Sequence, residues 1–221
     1  WRVSTGHHLA DSAIDGLNAS YANTGFVGFP LVLSLVGDTG MAPTLIATIV
    51  TVCVLFAIAI VLIEAGLQTE ARRRDIVAKT LFSLVKNPLL VAPALGGLVM
   101  VSGGHLPEPI HAFMKLLGGA ASPCALIALG LFLAGNSAHA VPARQSTAAI
   151  LVSLKLIARP LITGISAAPV LHLPPAMTKV AVLLAALPTG TGSFMLAEFY
   201  DREAALTGRV VLATTVFSIA T

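Results

Sequence analysis

The sequence predicts an all-α, polytopic membrane protein, and two observations carry that expectation. Of the 221 residues, 56% are hydrophobic and 10% charged, where soluble domains run at about a quarter charged; mean hydropathy is +0.90. The apolar residues are also gathered into runs of roughly 20 residues, the length that carries a helix across a hydrocarbon core of roughly 30 Å. A net charge of +3 and 5% aromatic residues leave nucleic-acid binding without a footprint.

Residues 1–11 are polar, and the adjacent His7 and His8 read as part of a loop, with a metal site as the alternative. The first span, 12–36, is interrupted by Asn23-Thr24-Gly25-Phe26-Val27-Gly28-Phe29-Pro30. Glycine costs about 1 kcal/mol and proline about 3 in a helix interior, so an ordinary spanning helix has no reason to carry this cluster. Gly37-Asp38-Thr39-Gly40 reads as a turn, and 41–66 as an unbroken apolar helix. Glu70, Arg72, Arg73, Arg74, Asp75, Lys79 and Lys86 make the one charge-dense loop. Spans follow at 87–102, 110–135, 147–171 and 177–200, with an unfinished one from Leu206; proline- and glycine-bearing connections separate them. The span 177–200 carries a second helix-breaking cluster, Pro188-Thr189-Gly190-Thr191-Gly192-Ser193. The chain starts at Trp1 and stops at Thr221 inside an apolar run, as expected of a piece of a longer protein. Cys53 and Cys124 lie in apolar runs without metal-ligand spacing and read as packing residues.

Lys and Arg counted in alternate connections give the orientation. A cytoplasmic 70–86 loop puts Arg2, Arg144, Arg202 and Arg209 on the same side, while Asp38, His105, Glu108, His111 and His172 mark the opposite one. The two interrupted spans then run in opposite senses, as in an inverted repeat.

Backbone that leaves helical geometry at membrane depth must face protein or a water-filled cavity. Two interrupted helices of opposed sense supply such a cavity, and paired interruptions mark a transporter's binding site. The free N–H groups of the half-helices suit a carboxylate. Asn23 and Thr24, with Thr189, Thr191 and Ser193, add neutral donors, while Gly25, Pro30, Pro188 and Gly192 shape the backbone. The alternative is that these small residues only permit close helix packing. Lys155 and Arg159 lie four apart, roughly 12 and 18 Å deep from an inner boundary near Thr147. Basic residues at that depth point either to a substrate carboxylate or to backbone carbonyls, for which the freed carbonyl near Pro160 is a candidate. Glu198, after the second cluster, is the carboxylate best placed for proton coupling. Glu64, Lys115 and Lys179 fall near span boundaries, where snorkelling accounts for them.

The N-T-G-F-x-G-x-P stretch at 23–30, K-N-P at 86–88, S-P-C-A-L-x-A-L-G at 122–130 and L-P-T-G-T-G-S-F-M-L-A at 187–197 together resemble the auxin efflux carrier family. V-G-F-P-L-V-L at 27–33 and T-V-C-V-L-F-A-I-A-I-V-L-I-E at 51–64 are similar to its malonate-transporter branch. The resemblance implies an inverted-repeat, ten-helix carrier whose fourth and ninth helices are broken and cross at the substrate site. This chain would hold about seven of the ten. Residues 1–66 would close the first repeat, 67–86 form the cytoplasmic loop and 87–221 the second repeat. Asn23 matches an asparagine that many relatives place at the first crossover. At the second, Gly192 stands where some place asparagine, which leaves donation there to Thr189, Thr191 and Ser193.

The expected activity is secondary transport of a small carboxylate across a bacterial inner membrane, malonate first, with H⁺ or Na⁺ as coupling ion and no resident cofactor. The alternative is efflux of auxin-like or other amphipathic organic anions, and a receptor or structural role is more remote. The implied partners are the carboxylate, the lipid bilayer and a second copy in a homodimer. Neither H-E-x-x-H nor a G-x-x-x-x-G-K-[ST] loop occurs, so metalloprotease and nucleotide-driven chemistry have no motif here.

Overall fold

The computed structural model describes residues 8–67, 82, 86, 88–104, 106–135 and 145–219. Helix accounts for most of them. The charge-dense stretch 70–79, Arg2, His7 and the connection bearing Pro142 and Arg144 lie outside the described residues.

Helix α1, Leu9–Ser20, starts at His8, whose Nδ1 accepts from the Ala10 N–H at 3.4 Å, and Asp11 sits in its first turn. It ends at Tyr21, whose backbone is extended. After this non-helical step comes α2, Thr24–Leu35, which opens as a π-helix over Thr24–Gly28 and continues as an α-helix from Phe29 with Pro30 in its first turn. Gly37, at φ +80°, takes the left-handed geometry that glycine alone adopts freely. It leads into α3, Asp38–Leu67, whose middle, Val50–Leu55, is again π-helical. Helices α4 (Pro88–Val101) and α5 (Glu108–Gly135) follow.

Helix α6, Gln145–Val170, contains π-helical segments at Leu154–Ala158 and Ser166–Val170. Then come α7 (Pro175–Ala186), a non-helical step over residues 187–190, α8 (Thr191–Phe199) and α9 (Ala204–Phe217). Two of the π segments end just before a proline, Pro30 and Pro160. Proline has no N–H to give the preceding turn, and widening the ladder by one residue accommodates that loss. The Val50–Leu55 segment has no such proline, and nothing in the structure explains it.

The main core lies where α1 packs along the C-terminal part of α3 and the end of α8. Ile14 and Leu17 meet Phe56, Ile60 and Ile63, with Leu196 beside them. Gly66 permits this approach, because a Cβ there would stand 2.6 Å from the Ala10 backbone nitrogen. A second cluster joins the two interruptions: Ala22 and Val32 pack on Val180, Leu184 and Leu187.

Outside these cores the surface is apolar. Leu35 is 66% exposed, Leu116 75% and Val101 82%, a distribution that a soluble monomer rarely shows and that hydrocarbon solvates without cost. Among the described residues, Asp38–Leu67 and Gln145–Val170 are each long and apolar enough to cross a membrane.

Candidate functional site

The two non-helical steps meet. Ala22 and Thr189 form an antiparallel bridge, flanked by the Asn23 N–H donating to Pro188 O at 3.0 Å and the Gly190 N–H donating to Tyr21 O at 3.2 Å. Each step supplies what the other's exposed backbone lacks. At membrane depth that exchange removes several kcal/mol of unsatisfied polar cost per group.

Buried side chains tie the junction to its neighbours. The Thr189 hydroxyl donates to Asn18 O at 2.8 Å, and the Thr189 N–H donates to Thr214 Oγ1 at 3.1 Å. Asn18 Nδ2 donates to Thr207 Oγ1 at 2.9 Å. The junction is thus fastened to α1 on one side and α9 on the other. Ser193 is also buried, its hydroxyl returned to Gly190 O at 3.0 Å.

A cavity of about 330 Å³ opens beside the junction. Of the residues singled out in the sequence, Asn23, Gly25, Thr191 and Gly192 line it, with Gly190. Asn23 is half-buried, and its side-chain amide has no partner among the described residues. The N-terminal turn of α8 begins here at Thr191, and Gly190 caps it without a side-chain bond. The remaining wall is Tyr21, Ala22, Phe26, Val52, Phe56, Ala92 and Met195. An anion entering this space would meet neutral amide, hydroxyl and backbone N–H donors against an apolar and aromatic face.

Thr24 and Thr189 are buried at the junction rather than in the cavity wall, and Thr24 Oγ1 has no hydrogen-bond partner among the described residues. Pro188 lends its carbonyl to Asn23, and Pro30 is exposed in α2. Lys155 and Arg159 stand apart from the cavity. Lys155 is fully buried and its ammonium donates to Ala185 O at 3.1 Å and to Leu187 O. Arg159 donates to Ala185 O at 3.4 Å. Both cations therefore hold a carbonyl of the last turn of α7, where the helix dipole is negative, and Lys155 also holds that of Leu187, the first residue of the second interruption. Glu198 is exposed towards the end of α8 and is absent from the cavity wall.

Sequence reasoning passed over Tyr21, Asn18 and Asp15. Tyr21 packs 5.5 Å from the Phe56 ring centroid, and its own ring fills the space over two glycines. A Cβ on Gly190 would stand 2.5 Å from Tyr21 Cε1, and one on Gly192 2.7 Å from its hydroxyl. The alternation Gly190-x-Gly192 was the visible half of that contact. Asp15, a carboxylate inside an apolar span, was the signal for the third.

A family model described as "Membrane transport protein" matches residues 3–221. A Rhizobium meliloti (strain 1021) protein carrying the name "Putative malonate transporter" is 25% identical over 213 residues, which cover 96% of this chain and 66% of that protein. The Escherichia coli (strain K12) protein named "Uncharacterized transporter YfdV" is 26% identical over 198 residues, covering 87% of this chain and 60% of its own length. The chain thus spans just under two thirds of the length of these relatives.

Proposed function

We propose, for a chain that belongs to the membrane transport protein family, the auxin efflux carriers that its motifs resemble, secondary active transport of a small organic anion. The family is one of transporters, not enzymes, and the protein is integral to a membrane. The observation that carries the finer reading is the antiparallel junction of the two interruptions beside a cavity lined by Asn23 and Thr191. We read the junction as the crossing of two broken helices from inverted five-helix repeats, 1–66 closing the first and 87–221 forming the second, in a ten-helix carrier of the bacterial inner membrane. Alternating access would then move a bundle against the crossed pair, with the 70–86 loop cytoplasmic and the carrier assembling as a homodimer.

The substrate we assign first is a dicarboxylate such as malonate, in line with the name borne by the Rhizobium relative. Asn23, Thr191 and the first N–H groups of α8 would receive one carboxylate. Lys155 and Arg159 would hold the second interruption open by fixing the end of α7, acting on the substrate through the backbone. A second reading, transport of an amphipathic monocarboxylate, is favoured by the aromatic wall of Tyr21, Phe26 and Phe56.

Proteoliposomes containing the full-length protein test both. Labelled malonate should be taken up, Asn23→Ala and Thr191→Ala should each reduce uptake about ten-fold, and indole-3-acetate should compete poorly. Strong competition by indole-3-acetate would move the assignment to the second reading. Uptake of neither compound, with neither raising the melting temperature, would overturn the proposal.

A further inference from the structure

We propose that the second interruption carries a monovalent-cation site that the chain fills from within, with the Lys155 ammonium, so that no free sodium ion is needed there. The consequence for coupling rests on the transport reading above; the site itself does not.

Broken helices in carriers offer two kinds of ion partner. Their N-terminal ends suit anions, while their C-terminal ends and unwound carbonyls hold the coupling cation. The end of α7 is of the second kind. The last carbonyls of a helix have no intrahelical donor, and the dipole there is negative. Leu187, at φ −54° and ψ 149°, leaves the helical path directly after Ala186. In a continuing helix, carbonyls two residues apart would lie on opposite sides of the axis. The extended backbone at Leu187 instead lets the carbonyls of Ala185 and Leu187 converge on one atom, Lys155 Nζ.

That atom takes the place of a dehydrated cation. Lys155 is 0% exposed and lies in the π-helical segment Leu154–Ala158 of α6. A lysine that merely snorkelled would carry its head to a span boundary, whereas this one turns it to the interruption. Arg159 donates to Ala185 O at 3.4 Å and so shares one of the two carbonyls, whose oxygen has two lone pairs to give. A buried cation inside a span is expensive to keep. Carbonyls that require a positive charge give the chain a reason to keep it.

Tethering changes what the site can do. A ligand shifts a conformational equilibrium only by binding one state better than another, and a gradient does work only through an ion that binds on one side and leaves on the other. The Lys155 ammonium cannot leave. A sodium gradient therefore has no handle at this position, and the positive charge stays beside the junction throughout the transport cycle.

Chemical rescue tests the site. Lys155→Ala deletes the atoms of an n-propylammonium ion, so that ion and sodium are the probes, with the bulky N-methylglucamine cation as the blank at matched ionic strength. The full-length variant in detergent should melt below the wild type, and each probe should raise its melting temperature by roughly 3 °C or more over the blank. The wild type should respond to neither. Lys155→Ala combined with Arg159→Met should respond at least as strongly, because the guanidinium cannot then swing into the vacated place. A melting temperature that neither probe moves in either variant overturns the site, as does a wild type that sodium stabilises as much as it does the variant. Should Lys155→Ala fail to fold, Lys155→Met keeps the stem and drops only the head, and ammonium becomes the probe with the same two outcomes. In proteoliposomes, malonate uptake by the wild type should be equal in sodium and N-methylglucamine media. Uptake about ten-fold or more faster on an inward sodium gradient would show a free coupling cation and overturn the stand-in role. Absence of malonate binding and uptake removes the transport reading and its consequence for coupling, while the melting temperatures still decide the site.

Discussion

Tyr21 governs the shape of the junction through contacts with residues far along the chain. Its ring occupies the volume that side chains at 190 and 192 would need. Gly190→Ala should therefore destabilise the protein by about 1–3 kcal/mol, the usual cost of overpacking, visible as a lowered melting temperature in detergent. Tyr21→Ala in the same chain should recover part of the loss; an unchanged melting temperature in Gly190→Ala would show that the ring moves aside freely. Lys155→Met should also lower the melting temperature, because the carbonyls of Ala185 and Leu187 would lose a charged donor in a buried site, at about 1–3 kcal/mol for each group left unpaired. Lys155→Arg, which still presents donors, should cost less. The sequence made the glycines and the buried cations legible as individual anomalies. Tyr21, Asn18 and Thr207 could not be read the same way, since each is ordinary in its own segment and gains meaning only from a partner that the fold brings to it.

At the scale of elements, helix-breaking residues and helical stretches share single spans, and the structure resolves how. The interruption near Asn23 occupies three residues between Ser20 and Thr24, while the widening that accommodates Pro30 lies in the π-helix just after it. Composition alone marked the region without separating these two events, because glycine and proline signal departure from helix but not which departure. Likewise Pro160 identified a disturbed turn, and the structure puts the disturbance on its N-terminal side, at Leu154–Ala158, where Lys155 gains its reach. The antiparallel pairing has a direct chemical test. Ala22 and Thr189 sit at a bridge position enclosed by a wide pair of hydrogen bonds, where Cα atoms approach to about 4.5 Å, within disulfide range. In a protein with Cys53 and Cys124 changed to serine, Ala22→Cys with Thr189→Cys should cross-link on mild oxidation, read as a mobility shift that reverses on reduction. A pair offset by two residues, Ala22→Cys with Thr191→Cys, should cross-link far less; equal yields would deny the register.

For the whole molecule, the burial pattern was the most legible property, because apolar length is local and needs no knowledge of partners. Helices of 30 and 26 residues arise where the sequence shows its longest uninterrupted apolar runs. Orientation depends on charged connections that fall largely outside the described residues, and it is a prediction for labelling. In a cysteine-free background, Thr39→Cys, exposed in the first turn of α3, should react with a membrane-impermeant maleimide from outside intact cells, and Arg73→Cys only after permeabilisation. The reverse pattern would invert the topology. The junction also constrains biosynthesis. The N–H of Asn23 finds its acceptor in Pro188, and the carbonyl of Tyr21 its donor in Gly190, so the early span enters the bilayer long before the ribosome has made the residues that complete it. Until the late span arrives, those groups need water, lipid headgroups or an insertase as a temporary host. A truncated nascent chain that stops short of Pro188 should therefore be a preferred target of membrane quality-control proteases.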